Sequence, residues 1–200
     1  MSDLRAAGVA VRDVAVEPRI QPALLSLGDF RIRPHHCFAC GELNEVGLHL
    51  ALRLEPSRCW TELAIPDRFQ GWEGITHGGI ICTILDEVMA WALVEHDCWG
   101  VTARLAVEFR RPISVGQRIR AEGWITESKR RIQRTAARII DIETGAELAV
   151  AEATYVAASE VRKAELKERY GFGTDAPTSA YETAPAGTRL GEPSETGEPR

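Results

Sequence analysis

GITHGGIICTILDEVMAWALVEHD, residues 74–97, decides the fold. From Gly78 to about His96 the apolar residues Ile80, Ile81, Ile84, Leu85, Val88, Met89, Trp91 and Leu93 recur on nearly every side of a helical wheel. That pattern predicts a helix buried all round rather than one lying on a surface. The helix is entered through His77-Gly78-Gly79, and a carboxylate, Asp86, stands in its middle. Both features ask for a reason, because turn glycines are common but a carboxylate inside a buried helix is not.

On either side of this helix the apolar period changes to two. Gly47–Leu54 and Cys59–Ile65 read as strands around Glu55-Pro56-Ser57-Arg58, and Pro66-Asp67 ends the second. After the helix, Val101, Ala103, Leu105, Val107 and Phe109 alternate with Thr102, Arg104, Ala106, Glu108 and Arg110, predicting a strand with one core face, closed by Pro112. Ile119–Ile125, 131–142 and 146–157 follow as further strands, the last two joined at Glu143-Thr144-Gly145. Short connections make these last strands antiparallel neighbours in a meander. A single buried helix must be covered by the sheet, so the expected architecture is α+β, a curled antiparallel sheet wrapped around one long helix in the hotdog manner. One such layer leaves apolar surface uncovered, and a dimer or dimer of dimers is the expected remedy.

The chain ends read differently from its centre. Residues 1–34 have scattered Pro and weak apolar clusters and form an N-terminal extension; residues 35–158 form the folding unit; residues 159–200 hold a short solvated helix and a disordered tail rich in Gly, Pro, Thr and Glu. A net charge of −5 argues against a nucleic-acid partner, which would call for clustered positive charge. No stretch is apolar enough to span a membrane, the start lacks a signal-peptide core, and five cysteines at irregular spacing suit a reducing compartment, so a cytoplasmic protein is expected.

A helix N-terminus offers unpaired N–H groups and a positive dipole end to charge developing on a carbonyl oxygen, and Gly78 and Gly79 permit close approach. Asp86 shares its stripe of the wheel with Gly79, Cys82, Thr83, Ala90 and Leu93, mostly small residues that leave room for a ligand or water. Thr83 or a backbone N–H is the alternative, purely structural partner for that carboxylate. Glu87 lies about 100° further round. From His77 to Asp86 the helix rises ~13 Å, too far for one substrate carbonyl to touch both in one chain.

His77-Gly78-Gly79, Asp86, Gly100-Val101-Thr102 and Phe109-Arg110-Arg111-Pro112 together resemble the PaaI-like branch of hotdog acyl-CoA thioesterases. Cys37-Phe38-Ala39-Cys40-Gly41 with Gly47-Leu48, and Phe69-Gln70-Gly71, are most similar to the branch that holds the human THEM-type mitochondrial thioesterases. The resemblance covers about residues 35–158 and implies hydrolysis of an acyl-CoA without metal or bound cofactor. It implies that the Gly78 N–H meets the thioester oxygen, that His77 orients the thioester, and that Asp86 of the partner chain acts as general base on water or as nucleophile. Thr102 would position the water, and Gly79, Gln70 and Thr83 would contact substrate. Other PaaI-like members carry an Asn or Gln six residues before the histidine; Gly71 stands there in this chain, with Gln70 beside it as the candidate substitute.

Other motifs compete for attention. His35, His36, Cys37 and Cys40 are four potential zinc ligands, but no second, separated pair follows, so the spacing predicts no metal. Cys37 and Cys40 as a redox pair lack a βαβ context. Arg110, Arg111, Arg118, Lys129, Arg130, Arg131 and Arg134 suit coenzyme A phosphates or simply a solvated sheet face. Trp72, Met89, Trp91 and Trp99 suit an acyl pocket or the core. A non-catalytic acyl-CoA-binding sensor or carrier is the alternative function, since fold does not fix activity.

Overall fold

The computed structural model describes residues 34–170. The expected N-terminal extension, Pro34 apart, and the expected disordered tail lie outside the described residues. Six strands form one antiparallel sheet: β1 (Arg53–Glu55), β2 (Arg58–Ala64), β3 (Gly100–Phe109), β4 (Arg118–Lys129), β5 (Ile132–Asp141) and β6 (Glu147–Ala157), in the spatial order β1-β2-β4-β5-β6-β3. The long helix α1 (Gly78–Ala92) packs on the inner face, and α2 (Glu160–Tyr170) ends the described chain. This is the expected α+β hotdog arrangement, and among the described residues no helix is long and apolar enough to cross a membrane.

The sheet receives α1 along a seam of very small residues. Gly123, Ala137 and Ala151 lie abreast on β4, β5 and β6, flanked by Ala121, Ala149 and Ala153. A Cβ on Gly123 would stand 2.7 Å from the Val88 carbonyl oxygen, so the helix backbone touches the sheet where only glycine fits. That approach buries Ile84, Leu85, Val88 and Met89 completely against Cys59, Ile65, Ile119 and Ile139, each such apolar side chain contributing about 1.5–3 kcal/mol.

The predicted meander is corrected in one connection: β3 pairs with β6 at the sheet edge, not with β4. Residues 110–117 carry the chain beneath the start of α1, where buried Ile113 accepts the Thr76 N–H at 2.8 Å and Ser114 bridges Ile75. The strand expected over Gly47–Leu54 shrinks to Arg53–Glu55. Upstream, His49 takes a left-handed φ of 49°, and the Leu48 and Leu50 N–H groups bond to Phe38 and Ala39 in the cysteine loop instead of a sheet neighbour.

The regular alternation predicted along β3 is also broken. A bulge at Ala103 separates the pairs Thr102↔Tyr155 and Arg104↔Thr154, and the extra residue shifts the face each side chain takes. Leu105 and Val107 pack against the core, as expected, whereas Val101 is 73% exposed and Thr102 takes the inward side instead.

α2 buries no residue, yet it is fastened: Lys163 and Lys167 both pair with Asp97, and Tyr170 stacks on Trp99 and meets the His35 ring edge-on at 5.3 Å.

Candidate active site

His77 caps α1. Its extended backbone (φ −63°, ψ 132°) lies just outside the helix, and its Nδ1 accepts the Gly79 N–H at 2.9 Å. An accepting Nδ1 carries no hydrogen, so the neutral imidazole holds its proton on Nε2 and offers a donor at the helix entrance. The cap engages the Gly79 N–H that the sequence reading assigned to substrate, and a Cβ on Gly79 would crowd Nδ1 at 3.0 Å. The Gly78 N–H has no acceptor among the described residues, and a Cβ there would meet the Phe109 ring at an ordinary 3.5 Å. Of the two glycines, Gly78 is therefore the open donor at the positive end of the helix.

The loop before the cap explains the departure at Gly71. A Cβ at this position would lie 3.2 Å from the His77 Cα and 3.3 Å from its Cδ2, so the missing side chain is what lets His77 sit in place. Gln70 is exposed, and its Oε1 accepts the Gly74 N–H at 3.1 Å, which commits that oxygen to shaping the loop. Trp72 projects from the same loop, 86% exposed.

Further along α1, Asp86 Oδ1 accepts two hydroxyl hydrogens, from Thr102 at 2.8 Å and from Tyr155 at 2.7 Å. No donor among the described residues reaches Oδ2. The bulge in β3 is what aims Thr102 at the carboxylate. Tyr155 went unnoticed in the sequence, although it shares the inward parity of Ala149, Ala151 and Ala153 on β6; a large polar aromatic ending a row of alanines was the available signal. Burial and then the charge of Asp86 push the Tyr155 phenol well above its usual range, so it serves as donor only. Thr83, expected at the substrate, donates its hydroxyl to the Gly79 carbonyl at 2.9 Å and is not the partner of Asp86.

These two donors are charge-assisted, and losing one costs about 1.5–3 kcal/mol where the carboxylate is ionised. If the carboxylate does chemistry, Thr102→Val and Tyr155→Phe are each expected to lower kcat roughly tenfold with little change in KM, while Thr102→Ser retains activity. Unchanged kcat in a folded Thr102→Val variant would remove the hydroxyl from the site.

Glu87 points elsewhere. Its Oε1 accepts the Trp91 indole N–H at 2.8 Å, and its two oxygens lie 3.9 and 4.0 Å from Cys37 Sγ. Burial, then the charge of Cys37, raises its carboxyl to about 7. The Cys37 thiol is held down to about 5, chiefly by hydrogen bonding with Cys40, whose own thiol is pushed up by that same bond and by burial. Cys40 Sγ is 3.3 Å from His35 Nε2, whereas His36 is exposed and stands apart from this group.

Several of the cations weighed between coenzyme phosphates and a solvated sheet face have protein partners: Arg110 pairs with Glu108 and Glu147, Lys129 and Arg134 with Glu127, and Arg131 with the Ala157 carbonyl. Met89 is core, Trp91 is tied to Glu87 and Trp99 is stacked on Tyr170, so these three are not gathered into one acyl pocket. A depression of about 650 Å³ over the outer sheet face is lined by Trp124, Arg138 and Glu152, away from Asp86.

Residues 73–147 match the family model of the thioesterase superfamily. No curated protein matches the sequence. Among solved structures the chain is similar to a thioesterase superfamily protein at 24% identity and a TM-score of 0.57, over 60% of this chain and 63% of that one. It is similar to zebrafish thioesterase superfamily member 2 at 14% identity and a TM-score of 0.55, over 60% and 90% of the two chains. A Streptococcus mutans protein bound to acetyl CoA is similar at 16% identity and a TM-score of 0.52, over 60% and 98%. Residues 73–147 thus match the thioesterase superfamily model, and the fold built around them is the hotdog.

Proposed function

We propose that the protein hydrolyses an acyl-CoA thioester to the free acid and coenzyme A, at a site that two copies of the chain complete together. The observation that carries this reading is the Asp86 carboxylate, with Oδ1 anchored by Thr102 and Tyr155 and Oδ2 left open. The acyl-CoA class is supported by the family match and by the acetyl CoA held in the Streptococcus mutans neighbour. The Gly78 N–H donates to the thioester oxygen as negative charge develops on it, and the His77 Nε2–H orients the group at the helix entrance. Asp86 takes a proton from water, the hydroxide adds to the carbonyl, and collapse breaks the C–S bond; the departing thiolate takes up the proton. No cofactor is called for in these steps.

The ~13 Å between Gly78 and Asp86 along one helix means that they serve one carbonyl only if they come from different chains. The edge of β3 supports such a partner. It is one of the two edges of the sheet and the longer one, with Val101 and Phe109 73% and 52% exposed in the single chain, and a ten-residue strand open along its outer side is a ready template for a second copy. The domain limits, 35–158 for the catalytic unit, and a cytoplasmic location belong to the same reading.

Complementation tests the shared site. Gly78 is the first helical residue, where proline is well tolerated, and His77 already has the extended backbone that a following proline requires. Gly78→Pro therefore removes one N–H and spares the helix, while Gly78→Ala keeps the N–H and the activity. Gly78→Pro and Asp86→Asn are each expected to be nearly inactive alone. Co-refolded, half of the dimers are hybrids with one working site of two, which gives about a quarter of wild-type activity. Confirmed hybrid dimers without recovered activity would defeat the shared site. Screening aliphatic and aryl acyl-CoAs for thiol release tests the reaction itself; binding without release by any of them would favour a sensor or carrier.

A further inference from the structure

We infer that His35, Cys37, Cys40 and Glu87 form a tetrahedral zinc(II) site that fastens the cysteine loop to α1. The spacing in the sequence argued against a metal because no second ligand pair follows the first. The structure brings a fourth donor from fifty residues away, on the helix face turned from Thr102 and Tyr155.

The geometry fits the ion. A tetrahedral zinc with Zn–S of ~2.3 Å and Zn–N or Zn–O of ~2.0 Å has S···N and S···O edges of about 3.5 Å and an S···S edge of about 3.8 Å. His35 Nε2 and Cys40 Sγ are 3.3 Å apart, Cys37 Sγ and the Glu87 oxygens 3.9 and 4.0 Å. The donor atoms of His35, Cys37 and Cys40 all lie within 4.8 Å of one another. The Glu87 carboxylate stands beside Cys37 but outside that 4.8 Å group, and it completes the shell by swinging toward the other donors by more than an ångström. Two thiolates, one imidazole and one carboxylate are a borderline-soft set that suits zinc over magnesium or calcium, and four protein donors leave no open position, so the ion is structural.

The surroundings are built to hold these donors. The Gly41 N–H bonds to the Cys37 carbonyl at 2.9 Å and the Leu43 N–H to the His35 carbonyl at 3.0 Å, folding the loop back on itself. A Cβ on Gly41 would fall 2.3–2.5 Å from the Cys37 and His35 backbone, so glycine alone permits this closure. The Trp91 indole fixes the Glu87 carboxylate, and Tyr170 packs edge-on against the His35 ring, the outer support that metal ligands ordinarily have. Among the described residues no lysine or arginine pairs with Glu87, so no protein cation competes with a metal ion for its carboxylate. Zinc binding expels the remaining ligand protons and couples the loop's order to the metal. None of this rests on the hydrolytic reading.

The test uses the full, untagged chain from zinc-supplemented cells. Elemental analysis is expected to find one zinc per chain, and cobalt(II) exchange to give tetrahedral ligand-field bands with thiolate-to-cobalt charge transfer. Cys37→Ser should abolish the charge-transfer signature of two thiolates, and Glu87→Gln, which keeps the bond to Trp91, should weaken zinc affinity at least ~10-fold. Wild-type protein with no stoichiometric zinc and no cobalt bands overturns the site without recourse to any variant. A Cys37–Cys40 disulfide in the native protein, found by mass spectrometry, overturns it in favour of a redox pair.

Discussion

Asp86→Asn is expected to fold and associate as the wild type does and to lose at least ~100-fold in kcat for acyl-CoA hydrolysis. The amide oxygen still accepts from Thr102 and Tyr155, so the anchoring of the side chain persists. What vanishes is the ability to take a proton from water or to attack a carbonyl. Acyl-CoA affinity should change little, because in the proposed chemistry the carboxylate acts on the water and not on the coenzyme. Circular dichroism, sedimentation and single-turnover thiol release together separate these outcomes. Full turnover in a folded Asp86→Asn protein would remove Asp86 from the mechanism and with it the proposed chemistry.

Gly123→Val should fail in another way. Its Cβ has nowhere to go except into the Val88 carbonyl at 2.7 Å, and that obstacle is main chain that cannot rotate aside. α1 must lift from the sheet, loosening Ile84, Leu85 and Met89 along the seam. Overpacking of this kind costs about 1–3 kcal/mol where side chains can yield, and a backbone clash belongs at or beyond the upper end, lowering Tm by roughly 5–10 °C. Gly123→Ala should show the same sign with a smaller shift. A Gly123→Val protein that melts with the wild type would mean that α1 sits further from the sheet than the geometry here requires.

The sequence revealed most where one physical signal dominates. The all-round apolarity of Ile80–Leu93 admits only a covered helix, and the hairpin at Glu143-Thr144-Gly145 forms as read, with Asp141 accepting the Thr144 N–H at 2.7 Å and Gly145 at a φ of 70°. The same periodic reading misled at β3, because a bulge is one residue of extra length with no compositional mark, and it turned Val101 out and Thr102 in. His49 hid its left-handed backbone in the same way, and a strand was read where the chain bonds to a loop. For the candidate site, residue type and spacing singled out the helix entrance and Asp86. The side chains around them divided less predictably, since Gly79, Gln70 and Thr83 proved to be engaged by their own neighbours. Glu87 could not be joined to Cys37 and Cys40 by reading, because only the packing of α1 against the first loop makes them adjacent.

The contact between His35 and Tyr170 has a topological meaning. These residues stand near the two ends of the described chain, and their rings lie 5.3 Å apart beside Trp99. The domain is thus close to a closed ring of polypeptide with a single narrow gap, and the gap lies near the far end of α1 from Gly78. Sequence order and spatial order are then only loosely tied: joined across that gap and reopened at an exposed hairpin, the same ring would still bring β3 beside β6 and α1 onto its alanine seam.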